Sequence, residues 1–226
     1  MPRIDLWQWS LDIPEQDILK ASKPLSDDEM RRADRFVKPI DRRMYIAGRS
    51  RLRKILGRYL GLAAKSVSFD YGPHGKPMLA DGPGFNLSHS GGRAVLAVSE
   101  DGDLGLDIEK VRPIEDAVAR HNFSPAEYAE LSELPKAEWL NGFFKCWTRK
   151  EAVLKRLGYG LYMPLDSFDV TVSQDVPPCL TRIEGDNPVR WALVHLDLGP
   201  GWIGALALRD AADPVQLRWR EADELG

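Results

Sequence analysis

The stretch FNLSHSGGRAVLAVSEDGDLGLDIEKVRP, residues 85–113, sets short apolar runs between turn residues and reads as strand, turn, strand, turn, strand. Long helical patterns flank it on both sides. Upstream, DRRMYIAGRSRLRKILGRYLG (41–61) repeats apolar residues at helical spacing, with Asp41 as the expected N-cap and Gly61 as the C-cap. Downstream, WTRKEAVLKRLG (147–158) continues a helix in which Phe144, Trp147, Leu154 and Gly158 share one face, beside Leu140 and Phe143. Strands and helices therefore occur in both halves without a regular βαβα alternation. This predicts an α+β fold in two subdomains, residues 1–104 and 105–226, meeting near Gly105.

Further out, IDLWQWSLD (4–12) reads as an early strand, and PLSDDEMRRADRF (24–36) opens a helix with Ser26 as N-cap and acidic residues in its first turn. VSFDYGPHGKPML (67–79) is a strand, a Gly/Pro turn and a second extended piece. FSPAEYAEL (123–131) has Ser124 as N-cap, Pro125 at the first helical position and Glu127 at the capping-box position. The segments SFDVTV, WALVHLDL, WIGALAL and QLRWREA predict three or four strands in the tail.

Composition bounds the function. A chain of 226 residues, 43% hydrophobic and 29% charged, can bury a core without staples. A net charge of −3 supplies no global field for nucleic acid or an anionic membrane, and no run approaches the about 18 apolar residues of a membrane span. The two cysteines, Cys146 and Cys179, show no metal-ligand spacing, so zinc is not expected and a reducing cytoplasm is the simplest compartment.

Glu151 stands out because it falls within a packed helix face. A carboxylate there must be protonated, paired or metal-bound, or must reach water at the edge of the face. Pairing with Lys155 at i,i+4 is the plain explanation. In GLDIE, Leu106 and Ile108 point to one strand face and Asp107 and Glu109 to the other, their α-carbons about 6.6 Å apart. Two carboxylates on one face suit either solvent or a hard divalent cation. Ser88 and His89 sit where a strand enters a Gly-Gly turn, a place for phosphate or for a turn in which Asn86 and Ser88 bond to local backbone. Lys76 is presented from a turn fixed by Pro77, without the P-loop pattern. Arg42, Arg49 and Arg53 line one shoulder of the face formed by Tyr45, Leu52, Leu56 and Tyr59; Arg43, Arg51, Lys54 and Arg58 fall on the far, solvated side. Together these residues point to metal-assisted chemistry at a diphosphate, with no nucleophile elbow or Cys–His pair in the chain itself.

GKP (75–77), FNLSHS (85–90), GLDIEKVRP (105–113), FSPAEY (123–128) and WTRKEAVLKRLGYGL (147–161) resemble, in order and spacing, the Sfp-type 4′-phosphopantetheinyl transferases. The resemblance implies two similar α+β halves related by a pseudo-twofold axis, with coenzyme A in the cleft between them. It implies transfer of phosphopantetheine to a serine of an apo acyl or peptidyl carrier protein in fatty-acid, polyketide or nonribosomal-peptide synthesis, releasing 3′,5′-ADP. Asp107, Glu109 and Glu151 become ligands of magnesium or manganese. Glu151 also becomes the leading candidate for the serine proton, and Lys155 a diphosphate contact. Ser88 and His89 hold the 3′-phosphate, and Lys76 and Pro77 the nucleotide end. The chain departs from some relatives at Glu29, where they carry a basic residue, and around Met44 and Tyr45; Arg42, Arg49 and Arg32 are the candidate replacements. The carrier is expected to dock near Val111, Ile114 and Val118, flanked by Arg112 and Arg120, on a protein that works as a monomer. An ordinary amphipathic helix packing on its own domain accounts for that segment equally well. Two other functions share the pattern: a metal-dependent hydrolase of a coenzyme A or nucleotide diphosphate, and a non-catalytic coenzyme A-binding module.

Overall fold

The computed structural model describes residues 2–173, 176–210 and 214–220, and the backbone alone at Leu161. In chain order the elements are β1 (Arg3–Ser10), α1 (Ile18–Ser22), α2 (Asp27–Ala33), α3 (Pro39–Leu60), β2 (Asp70–Tyr71), β3 (Pro77–Met78), β4 (Gly84–Ser90), β5 (Arg93–Ser99) and β6 (Leu104–Lys110). They continue as α4 (Asp116–Asn122), α5 (Pro125–Glu133), α6 (Trp139–Leu157), β7 (Phe168–Val170), β8 (Leu180–Ile183), β9 (Trp191–Leu196), β10 (Trp202–Arg209) and β11 (Gln216–Arg220). The α+β class is as expected. Of the four strands read in the tail, QLRWREA extends past the described residues at 221 and 222. Helix α1 and strand β8 are too short to stand out by periodicity, and neither was expected.

Two sheets carry the fold, in the orders β11-β1-β5-β4 and β6-β10-β9. β5 shows why they pack as they do. Ala94, Leu96 and Val98 join Trp7, Trp9, Leu52 and Leu56 beneath α3, while Val95 and Ala97 join Ile4, Leu6, Leu106 and Leu206 in a layer shared by the two sheets. A strand covered on both faces reads as an unbroken apolar run, as RAVLAVS does. On the far side, Ile203, Ala205 and Ala207 of β10 meet Phe143, Phe144 and Val153 of α6. β11 returns from the end of the chain to pair in parallel with β1.

Helix ends follow local chemistry. Ser26 and Ser124 each form a complete capping box, with Glu29 and Glu127 respectively. Gly61 ends α3 in the left-handed conformation at φ 65°. The expectation for the start of α3 is corrected: its N-cap is Lys38, with Pro39 in the first turn. Proline lacks the amide proton that a cap would satisfy and its fixed φ suits that position, so Asp41 is left as a first-turn acid.

Candidate functional site

Strands β4 and β6 meet along a seam of side-chain bonds. Asn86 Oδ1, Ser88 Oγ and Ser90 Oγ accept the backbone amides of Leu106 at 2.9 Å, Ile108 at 3.2 Å and Lys110 at 3.2 Å. Residues two apart share a strand face, so three small polar residues at that period form one ladder. The alternative in which Asn86 and Ser88 bond to their own turn is set aside: their partners lie 20 residues along the chain. The signal was present in FNLSHS as alternation against Phe85 and Leu87.

The seam places the carboxylates of β6. Ser88 Oγ donates to Asp107 Oδ1 at 3.0 Å, and Ser90 Oγ donates to Glu109 Oε2 at 2.6 Å. Lys155 of α6 donates to Asp107 Oδ1 at 2.6 Å and to Ser88 Oγ at 3.1 Å. The plain i,i+4 pairing of Lys155 with Glu151 therefore gives way to a bond with β6. Asp107 is 5% exposed, and its Oδ2 is buried without a hydrogen-bond partner. Gly105 makes this approach possible, because a β-carbon there would overlap the Ala152 carbonyl oxygen of α6.

Electrostatics tie Glu151 to the same cluster. Burial pushes its carboxyl up from the ordinary value, the neighbouring charges of Asp107 and Glu109 add to this, and Lys155 opposes it. Asp107 is likewise pushed up by burial, against the pull of Lys155 and Ser88. Sequence reasoning thus located Asp107, Glu109, Glu151, Ser88 and Lys155, and the fold brings them together. Among the described residues, no group of three or more His, Cys, Asp or Glu side chains forms a ready metal cage. Lys155 lies on Asp107, and Arg112 bonds Glu109 Oε2 at 2.8 Å.

The other expected residues are placed differently. His89 follows Ser88 along the strand with part of its ring at the surface; desolvation of the remainder and the Lys155 charge hold the imidazole below its ordinary value. Lys76 donates to both oxygens of Asp103 at 2.6 and 2.7 Å and to the Leu104 carbonyl at 3.0 Å, fastening the β2–β3 hairpin to the start of β6. Pro77 pairs with Tyr71 across that hairpin. Arg42 bonds Asp34, while Arg49 and the buried Arg53 both bond Glu29. The shoulder row on α3 is therefore paired, Arg49 and Arg53 through Glu29 and Arg42 through Asp34. On the far side of α3, Lys54 and Arg58 are exposed as expected, whereas Arg43 and Arg51 are half-buried. Val111, Ile114 and Val118 pack against the core beneath α6, leaving Arg112 and Arg120 at the surface.

Comparison with known proteins places two family models end to end on the chain. Residues 103–208 match that of the 4′-phosphopantetheinyl transferase superfamily, and residues 8–101 match that of the 4′-phosphopantetheinyl transferase N-terminal region. The chain is similar to 4′-phosphopantetheinyl transferase HetI of Nostoc sp., with 38% identity over 91% of this chain and 87% of that protein. It is also similar to 4′-phosphopantetheinyl transferase Sfp of Bacillus subtilis, with 35% identity over 90% of this chain and 96% of that protein.

Proposed function

The chain belongs to the 4′-phosphopantetheinyl transferase superfamily, and from that premise we propose how it moves the phosphopantetheine of coenzyme A onto a serine of an apo carrier protein. The observation that carries the residue assignment is the 2.6 Å bond from Lys155 to Asp107, with Glu151 electrostatically coupled to both. An ammonium seated among carboxylates marks a place where a diphosphate finds a cation, and where the carboxylates need further positive charge to lie together.

In the reaction, the carrier serine Oγ bonds to the pantetheine-bearing phosphorus and the bond to the bridging oxygen breaks. The electron pair leaves with 3′,5′-ADP. Glu151 takes the serine proton, directly or through one water. Lys155 steadies the charge on the departing phosphate. The donor set fits a hard divalent cation: it is all oxygen, and among the described residues the buried Asp107 Oδ2 has no hydrogen-bond partner and the bonds to Glu109 fall on Oε2. Asp107, Glu109 and Glu151 would hold magnesium or manganese, which when bound would neutralise the diphosphate as charge builds on the leaving oxygen.

Residues 1–104 take the nucleotide end and residues 105–226 carry the carboxylates. The turn around Lys76 and Pro77 lies beside the nucleotide, and His89 meets the 3′-phosphate as a hydrogen-bond donor. Ser88, buried with its hydroxyl engaged by Asp107, Lys155 and the Ile108 amide, steadies Lys155 for the diphosphate in place of the expected 3′-phosphate contact, and Arg32, Arg42 and Arg49 supply the outer positive charge. The carrier approaches over the surface at 111–118, where Arg112 and Arg120 face acidic side chains. The protein works as a monomer in the cytoplasm; no helix among the described residues is long and apolar enough to cross a membrane. The test is to mix the protein with apo carrier, coenzyme A and magnesium and weigh the carrier. A mass gain of one phosphopantetheine is expected, and no gain across acyl and peptidyl carriers would overturn the reading.

A further inference from the structure

The seam between β4 and β6 does more than join two sheets. Ser90 Oγ accepts the Lys110 amide at 3.2 Å, and an amide only donates. The hydroxyl proton is therefore left for Glu109 Oε2, 2.6 Å away. Ser88 repeats the arrangement one step earlier: the Ile108 amide and the Lys155 ammonium fill its lone pairs, and its proton goes to Asp107. Asn86 ends the ladder with the Leu106 amide and, among the described residues, bonds no carboxylate. Each strand carboxylate thus has one oxygen anchored by a seryl hydroxyl, while the other, Asp107 Oδ2 or Glu109 Oε1, has no hydrogen bond from the described residues.

We propose that Ser90 is a positioning residue that orients the Glu109 carboxylate, holding Oε2 so that Oε1 stays available to a hard divalent cation; this rests on the reading of Glu109 as a ligand. Arg112 also reaches Oε2, at 2.8 Å, but its side chain is 53% exposed, and an exposed ion pair is screened and holds a carboxylate weakly. The half-buried hydroxyl, fixed at its other end to the β6 backbone, is the stronger restraint. Groups that orient a metal ligand commonly change metal affinity by about tenfold or more when removed.

The experiment measures manganese binding by electron paramagnetic resonance, in the presence of coenzyme A, for the wild type, Ser90→Ala, Ser90→Thr, Asn86→Ala and Glu109→Gln. Thermal unfolding is followed on each protein. Ser90→Ala is expected to weaken manganese binding about tenfold, and Ser90→Thr, which keeps the hydroxyl, to restore it. Asn86→Ala is expected to lower the melting temperature while leaving manganese affinity within about twofold, because its bond serves the seam alone. Should Glu109→Gln lose manganese while Ser90→Ala binds like the wild type, the positioning role is overturned and the ligand assignment stands. Equal weakening in Ser90→Ala and Asn86→Ala would also overturn it, reducing Ser90 to a general seam contact. Unchanged binding in Glu109→Gln would remove the ligand assignment, and the inference with it.

Discussion

Asp107 and Glu151 are carboxylates held where burial opposes their charge. Burial that raises a carboxyl opposes folding with the group charged, which is the pattern of groups serving chemistry. Asp107→Ala and Glu151→Ala are expected to cut kcat/KM for carrier modification by about a hundredfold or more, equivalent to about 2.7 kcal/mol of transition-state stabilisation. Circular dichroism should show both proteins folded. Glu29 is the opposite case. Burial would raise its carboxyl, but the Arg49 charge and bonds from Ser26, Arg53 and Arg49 hold it below the ordinary 4.5. Glu29→Gln is expected to cost about 3 kcal/mol at neutral pH, because two guanidinium groups lose their shared partner. The sign follows from a folded-state value lower than the unfolded one. The contribution of Glu29 is complete above pH 4.5 and fades as pH falls through the depressed value, so urea titrations of the two proteins should converge in acid.

At the scale of elements, the site depends on how closely α6 lies on β6. Gly105→Ala would push a methyl group into the Ala152 carbonyl and the Arg156 amide. Overpacking of this kind costs about 1–3 kcal/mol. Transfer is expected to fall as well, because Glu151 and Lys155 both ride on α6; urea unfolding and carrier modification measured on one preparation check this. A second fastening lies on the other side of the helix. Lys150, fully buried, donates to both Glu127 oxygens and to the Phe168 carbonyl, while Glu127 also accepts the Ser124 and Val170 amides. One carboxylate thereby joins α5, α6 and β7. Lys150→Met strands it, with an expected loss of about 3–5 kcal/mol in denaturant titration. From sequence, Glu127 was visible only as a capping residue; its larger role depends on which helix crosses its N-terminus.

For the whole molecule, the first and last described strands, β1 and β11, are tied together. Asp5 of β1 is 6% exposed and receives Arg218 of β11 at 2.7 and 2.8 Å. Arg218→Met is expected to lower stability by about 1–3 kcal/mol without changing the KM for coenzyme A, since the site lies on the β4–β6 side. Wild-type KM together with a lowered unfolding midpoint would bear this out; a raised KM would show that β11 reaches the site.

Much was legible in the chain because it is encoded locally. The helix periods around Leu52 and Phe144, the capping boxes at Ser26 and Ser124, the alternation in GLDIE and the motif spacing each lie within a few residues, and together they determined the α+β class, the family and the five residues that converge. Other features were decided by tertiary structure, because the partners are far apart in sequence. Lys155 bonds Asp107 rather than Glu151 only once Gly105 lets α6 settle on β6. Arg49 and Arg53 come to share one carboxylate only when α2 brings Glu29 to α3. Asn86, Ser88 and Ser90 reach across to β6 because two sheets share one apolar layer and meet at those edges. Periodicity tells which face a side chain occupies; packing of distant elements decides what that face meets.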